Sequence, residues 1–131
     1  MSNFQKVKNY LLDLNYGITK EDETNELFVI NAEEKGIVNM LVDCEGDILV
    51  IEQHILNLPA VNADTFKRLL QFNRSAVHGA YVLDETGSKV IFRDTLQLNS
   101  LDINELEASV NALSLSLVEN HKEIIGFASA N

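Results

Sequence analysis

Three runs rich in β-branched and aliphatic residues, Leu27–Ile30, Ile37–Asp43 and Ile48–Leu56, follow one another with almost nothing between them. The connectors are Asn31–Gly36 and Cys44–Asp47, both short and both containing glycine. A parallel pairing needs a crossover of a dozen residues or more, so these runs predict an antiparallel meander. The composition of the runs is what strands favour, because branched side chains pack well on a pleated surface.

The flanking segments carry a different period. Phe4, Val7, Leu11 and Leu14 form one stripe of an amphipathic helix over residues 3–15, with Ser2 placed to cap it and Gly17 to end it. Thr19–Glu26 is polar and acidic and reads as an exposed connector. After Pro59, Asn62 or Asp64 can cap a short helix over Thr65–Asn73 with Phe66, Leu69 and Leu70 on its inner face. Val77–Leu83 and Lys89–Leu96, joined by Asp84–Ser88, form a second hairpin signature. A long helix opens at Asp102 or Asn104 and runs to about His121 through Leu106, Val110, Leu113 and Leu117, with Ala108, Ala112 and Leu115 widening its face. Gly126 and the small residues Ala128 to Asn131 read as a frayed tail. The expected order is α-βββ-α-ββ-α, an α+β class in which helices flank a mostly antiparallel sheet. All 131 residues are expected to form one domain, residues 1–131.

Charge narrows the partners. Twenty acidic residues stand against ten basic ones, a net of −10. Such a field repels phosphate backbones and anionic lipid, so no nucleic acid and no direct membrane insertion are expected, and basic or amphipathic protein segments are favoured instead. Between Lys20 and Ala60 lie ten acids and two lysines, so the meander carries most of the charge. That concentration serves solubility, electrostatic steering of a partner, or both. Met-Ser-Asn-Phe is followed by no apolar run, so no signal peptide is expected, and the expected location is a reducing cytoplasm.

Candidate chemistry is sparse. His54, His78 and His121 fall in three separate elements and form no short ligand motif with Cys44 or a carboxylate, so they read as ordinary strand and helix-end histidines and no metal site is expected. Asp43-x-Glu45-Gly46-Asp47 has a calcium-loop flavour, but the chain turns at once into Ile48–Ile51, so the acids decorate a hairpin tip. Cys44 sits among Asp43, Glu45 and Asp47, which raise a thiol pKa and work against nucleophilic use. The six glycines stand singly at turns, and no nucleophile elbow, phosphate loop or dinucleotide fingerprint is present. No catalytic or cofactor-binding residue is therefore assigned, and no cofactor is expected.

The helix Phe4–Leu14, the strands around Leu27-Phe28-Val29-Ile30 and Ile48-Leu49-Val50-Ile51, and the closing helix Asp102–His121, in this order and at this size and acidity, resemble the type III secretion chaperone-like fold. Class I secretion chaperones and YbjN-like proteins share it. The second half, Val77–Leu83 through Phe92–Leu96 to Leu106–Ser109, looks more narrowly like the uncharacterised bacterial YjfI-like family. The resemblance implies a homodimer without cofactor that binds extended or amphipathic protein segments along apolar patches. It implies an effector-like partner or a phage-shock-type coiled-coil protein, and a link to secretion or bacterial envelope stress. No residue-level site transfers with it. The leading expectation is a non-enzymatic, dimeric chaperone-like adaptor. A small-molecule-sensing regulatory domain and an enzyme of unrecognised type are the alternatives.

Overall fold

The computed structural model describes residues 1–129. Among them the elements run α1 (Asn3–Asp13), β1 (Gly17–Asp22), β2 (Leu27–Ala32), a 3-10 turn (Glu33–Lys35), β3 (Ile37–Glu45), β4 (Ile48–Asn57), α2 (Ala63–Ser75), β5 (Ala80–Leu83), β6 (Lys89–Gln97) and α3 (Ile103–Phe127). The strands form one antiparallel sheet in the order β1-β2-β3-β4-β6-β5. The α+β class and the antiparallel meander are as the sequence predicts, with one strand more than expected in the first group.

That extra strand is β1, taken from its composition to be a connector. Only Ile18 and Glu21 share the side of the sheet occupied by Ile30 and Phe28, and Glu21 meets Lys8 of α1 at 3.2 Å. An edge strand needs little apolar content, and charged residues keep such an edge from pairing with other chains. The end of α1 also differs. Asn15 takes the left-handed conformation at φ 63°, which a short polar side chain tolerates, and Gly17 instead begins β1 opposite Asn31. Ser2 caps α1 as expected, its hydroxyl oxygen accepting from the Gln5 N–H at 3.1 Å.

Alternate strand residues turn inward. Phe28, Ile30, Met40, Val42, Leu49, Ile51 and Phe92 are buried against Phe4, Val7 and Leu11 of α1 and Leu106, Val110 and Leu113 of α3. Phe4 stacks on Phe28 with ring centroids 4.5 Å apart. Helix α2 joins through Phe72, whose ring lies 6.0 Å from that of Tyr81, and Tyr81 in turn meets Phe92 edge-on. All the described helices thus pack on one side of the sheet.

Two helices depart from the expected faces. In α2 the buried positions are Thr65, Leu69 and Phe72, while Leu70, expected inside, is 69% exposed. Asp102 caps α3 in a capping box with Glu105, but the helix continues past His121. It is interrupted at Asn120 (φ −121°, ψ 15°), and beyond that break Ile124 and Phe127 are buried, with Phe127 6.3 Å from Phe72. Gly126 is therefore helical rather than frayed and Phe127 beside it is packed, and the last residues of the expected tail, 130 and 131, lie outside the described residues.

Two side-chain amides complete the sheet where strands part. Cross-strand partners of β3 and β4 run from Leu41↔Glu52 to Glu45↔Ile48. Ahead of them, buried Gln53 accepts from the Val38 N–H at 3.1 Å and donates to the Gly36 carbonyl at 3.0 Å. On the outer edge of β5, Asn73 of α2 accepts from the Tyr81 N–H at 2.7 Å and donates to the Tyr81 carbonyl at 3.0 Å. Each amide stands in for a neighbouring peptide, so these backbone groups are paired as they would be within a sheet.

Candidate protein-binding surfaces

A groove of about 550 Å³ runs between α2, the segment Ala76–His78 and α3. Its floor is Phe72, Tyr81 and Phe92, and the α3 wall includes Ala108 and Ala112, whose small side chains leave room between the two helices, together with the polar Asn111, Ser116 and Glu119. Val77 and Leu115 line it while 88% and 60% exposed, so the groove opens to solvent along apolar side chains. One turn on along α3, Val118 is 78% exposed and extends that apolar stripe. Arg68 braces one end, its guanidinium 2.6 Å from Glu123 and stacked over the Phe72 ring at 4.6 Å. The Tyr81 hydroxyl, paired with Ser116 at 2.7 Å, has its pKa raised by burial and lowered in part by that bond.

Local sequence explains the groove. Val77 was expected in a strand, but β5 begins only at Ala80 because Gly79 adopts φ +73° directly over Phe92. A Cβ there would overlap the Phe92 ring, so only glycine lets the chain turn into β5 at this point. The segment before it, Ala76–His78, is left beside α2 as a wall of the groove.

The second surface is the sheet face opposite the helices. Paired residues share a side, so the register places Leu27, Asp43, Val50 and Thr95 in one row and Val29, Leu41, Glu52 and Arg93 in the next. The apolar members are only half-buried, and Ile48 is 45% exposed. Arg93 pairs with Glu52 at 2.8 Å. Asp43 stands apart: its Oδ1 is buried and accepts from no N–H or O–H donor of the described residues, although its carboxyl group has that of Glu45 as a hydrogen-bonding neighbour. Burial, then hydrogen bonding and repulsion from Glu45 and repulsion from Glu52, push its carboxyl up to about 6.

The residues weighed for chemistry are scattered. His78 lines the groove, whereas His54 and His121 line a smaller recess of about 330 Å³ between β4 and α3. The His54 Nε2 lies 2.8 Å from the Asn57 amide oxygen, a neutral partner. Cys44 is buried on the inner side and its thiol is raised to about 11, first by burial and then by Glu26 and Asp43. The acidic neighbours expected to raise it thus act second to burial, and Glu26, distant in sequence, replaces Glu45 and Asp47. Glu45 and Asp47 sit at the β3–β4 turn, where Gly46 supplies φ +61°. Among the described residues no three His, Cys, Asp or Glu side chains gather to hold a metal ion, and no helix is long and apolar enough to cross a membrane.

The surfaces themselves were not assigned from sequence. Leu115 and Leu70 read as core and prove exposed, and Asn73 read as a helix end rather than as the partner of a strand edge. The available signal was the four-residue apolar run Ile48–Ile51, which exceeds what a strand with one covered face requires.

The family model CesT_Tir_1 matches residues 1–130. Among solved structures, YbjN from E. coli superposes with a TM-score of 0.71 at 12% identity, covering 92% of each chain. The HopA1-SchA chaperone-effector complex gives 0.63 at 12% identity over 99% of this chain and 98% of the other. The ExsC-ExsE complex gives 0.62 at 18% identity over 88% and 92%. No curated protein sequence matches the chain.

Proposed function

The chain belongs to the CesT_Tir_1 family of type III secretion chaperones, and from that premise we propose that it is a non-enzymatic chaperone-like adaptor that holds a segment of a partner protein. The observation that carries this reading is the α2–α3 groove, whose floor of Phe72, Tyr81 and Phe92 is flanked by the exposed apolar side chains of Val77 and Leu115. An apolar channel with a polar rim suits the apolar face of an amphipathic segment. Two of the similar folds were solved as complexes with another protein, one named a chaperone-effector complex, which supports the same use here.

The finer reading follows the resemblance noted from sequence. The adaptor acts in the cytoplasm as a homodimer, and its partner is an effector-like protein or a phage-shock-type coiled-coil protein, in secretion or envelope stress. Exposed Leu115 and Val118 offer apolar area to a second copy or to the partner. The acidic meander speeds encounter with basic segments, so association weakens with salt.

Two measurements test this. Light scattering after gel filtration should report a dimer. Affinity capture from the native host at low salt should enrich one or few proteins, and Leu115→Lys should abolish that enrichment while leaving the unfolding midpoint unchanged. Recovery of background alone, or capture indifferent to Leu115→Lys, would refute the reading.

A second reading has one observation in its favour: about 550 Å³ lies within the range of small-molecule sites. It requires thermal stabilisation by a metabolite that Ala112→Phe, which fills the groove, abolishes.

A further inference from the structure

We propose that the stretch of α3 beyond Asn120 is a displaceable strap, seated on part of the surface where a partner's segment docks, and that the displacing segment presents the strap's own chemistry: a carboxylate to Arg68 and an aromatic ring to Phe72. This rests on the groove reading and deepens it by naming what the α2 side of the groove accepts.

The strap is attached at a break and held at few points. Asn120 leaves the helical conformation, so α3 is two helical pieces meeting at a kink. Of residues 121–129 only Ile124 and Phe127 are buried. Gly126 lies in the last turns, where an added Cβ would meet open space, so packing does not demand glycine there and its presence weakens the helix. Cavities flank the kink on two sides. Glu119 and Asn120 line the groove of about 550 Å³, while His121, Ile124, Ile125 and Ala128 line the recess of about 330 Å³ toward β4. A segment with two apolar anchors beside unfilled volume opens more readily than the first part of α3, which is fully buried at Leu106, Val110 and Leu113.

The anchors define a ligand. Glu123 accepts from the Arg68 Nε–H at 2.6 Å, and the Phe127 ring lies 6.3 Å from that of Phe72. Arg68 itself stacks over Phe72 at 4.6 Å, so both anchors meet one platform. Arg68 and Phe72 also line the groove, so a segment lying along it onto that platform competes with the strap. Charge selects the competitor. The chain is net −10, yet α2 carries Lys67, Arg68 and Arg74 against Asp64 alone. A helical segment with a carboxylate four residues before an aromatic ring, the spacing of Glu123 and Phe127, restores both contacts, because such residues share a helix face. A segment lacking either gives up a contact that the strap already makes, and the strap keeps its seat.

The test uses isotope-labelled full-length protein and a peptide of the strap's own sequence, residues 121–129, added in trans. Phe127→Ala loosens the strap without altering a residue that lines the groove, and Glu123→Lys does so at an exposed ion pair without touching the core. Both variants should bind the peptide about tenfold tighter than the unmodified chain, with the amide signals of Arg68 and Phe72 moving. Peptides carrying Phe127→Ala or Glu123→Lys should lose that gain. Equal affinity for the unmodified chain and the variants, no binding to either variant, or signals moving only elsewhere would overturn the proposal. A dimer of the unmodified chain that the peptide dissociates would place the strap on a second copy and overturn it likewise. The groove reading fails separately, by the Leu115→Lys capture experiment.

Discussion

Replacing Asn73 by alanine removes the amide that pairs the outer edge of β5, and the structure sets the size of the consequence. Two hydrogen bonds go, the Tyr81 N–H to Oδ1 at 2.7 Å and Nδ2–H to the Tyr81 carbonyl at 3.0 Å, both part-buried. A net value of about 1 kcal/mol for each gives about 2 kcal/mol of lost stability, with water replacing some of the pairing at this partly open site. For a chain of this length that corresponds to a melting temperature lower by roughly 6–10 °C. Asn73→Asp keeps the acceptor for the N–H but sets a second oxygen against the Tyr81 carbonyl, so it should cost at least as much. Urea unfolding measures the loss, and hydrogen exchange at the Tyr81 amide reports its location, since exchange there should accelerate more than at Phe28 in the centre of the sheet. A loss below about 0.5 kcal/mol, with Tyr81 exchange unchanged, would refute the reasoning and leave packing of Phe72 on Tyr81 as what holds the edge.

Gly79→Ala combines a positive φ of 73° with overlap on the Phe92 ring and should cost about 2–4 kcal/mol in chemical denaturation. Asp43 is raised to about 6 from an ordinary 3.8, so the native state holds this proton more tightly than the unfolded chain and Asp43's contribution declines as pH rises through that interval. Asp43→Asn should therefore raise stability at about pH 7.5, by about 1 kcal/mol or less after solvent screening of a surface group, and the gain should vanish at about pH 4 when urea midpoints are compared.

What the sequence made legible follows from range. Short-range patterns located the elements: the stripe Phe4-Val7-Leu11 is buried as spaced, and the hairpins around Gly46 and Gly87 turn where their glycines stand. Strand β1 escaped because one inward apolar residue, Ile18, leaves no alternation to detect. The face of α2 was misplaced because Phe66 and Leu70 are as well spaced as Thr65, Leu69 and Phe72, and only the position of Tyr81 selects between the two stripes. The candidate surfaces were hidden for the same reason. A groove walled by Ala108 and Ala112 on one side and Val77 on the other exists only once α2 and α3 have been placed on one sheet.

The run Ile48-Leu49-Val50-Ile51 joins the two scales. An unbroken apolar strand is what a sheet covered on both faces requires, whereas a sheet with one solvated face alternates. Leu49 and Ile51 go to the helices and are fully buried, while Ile48 is 45% exposed and Val50 half-buried on the open side. Leu27 and Val29 repeat the pattern on β2, outside Phe28 and Ile30. A chain that needed this face only for solvent contact would gain solubility by making those positions polar, as it has done at Thr95 and Arg93 on β6. The apolar positions cluster on β2, β3 and β4, beside the carboxyl groups of Asp43 and Glu52. Clustering of this kind, rather than apolar residues scattered singly, is what separates a surface patch from ordinary exposure.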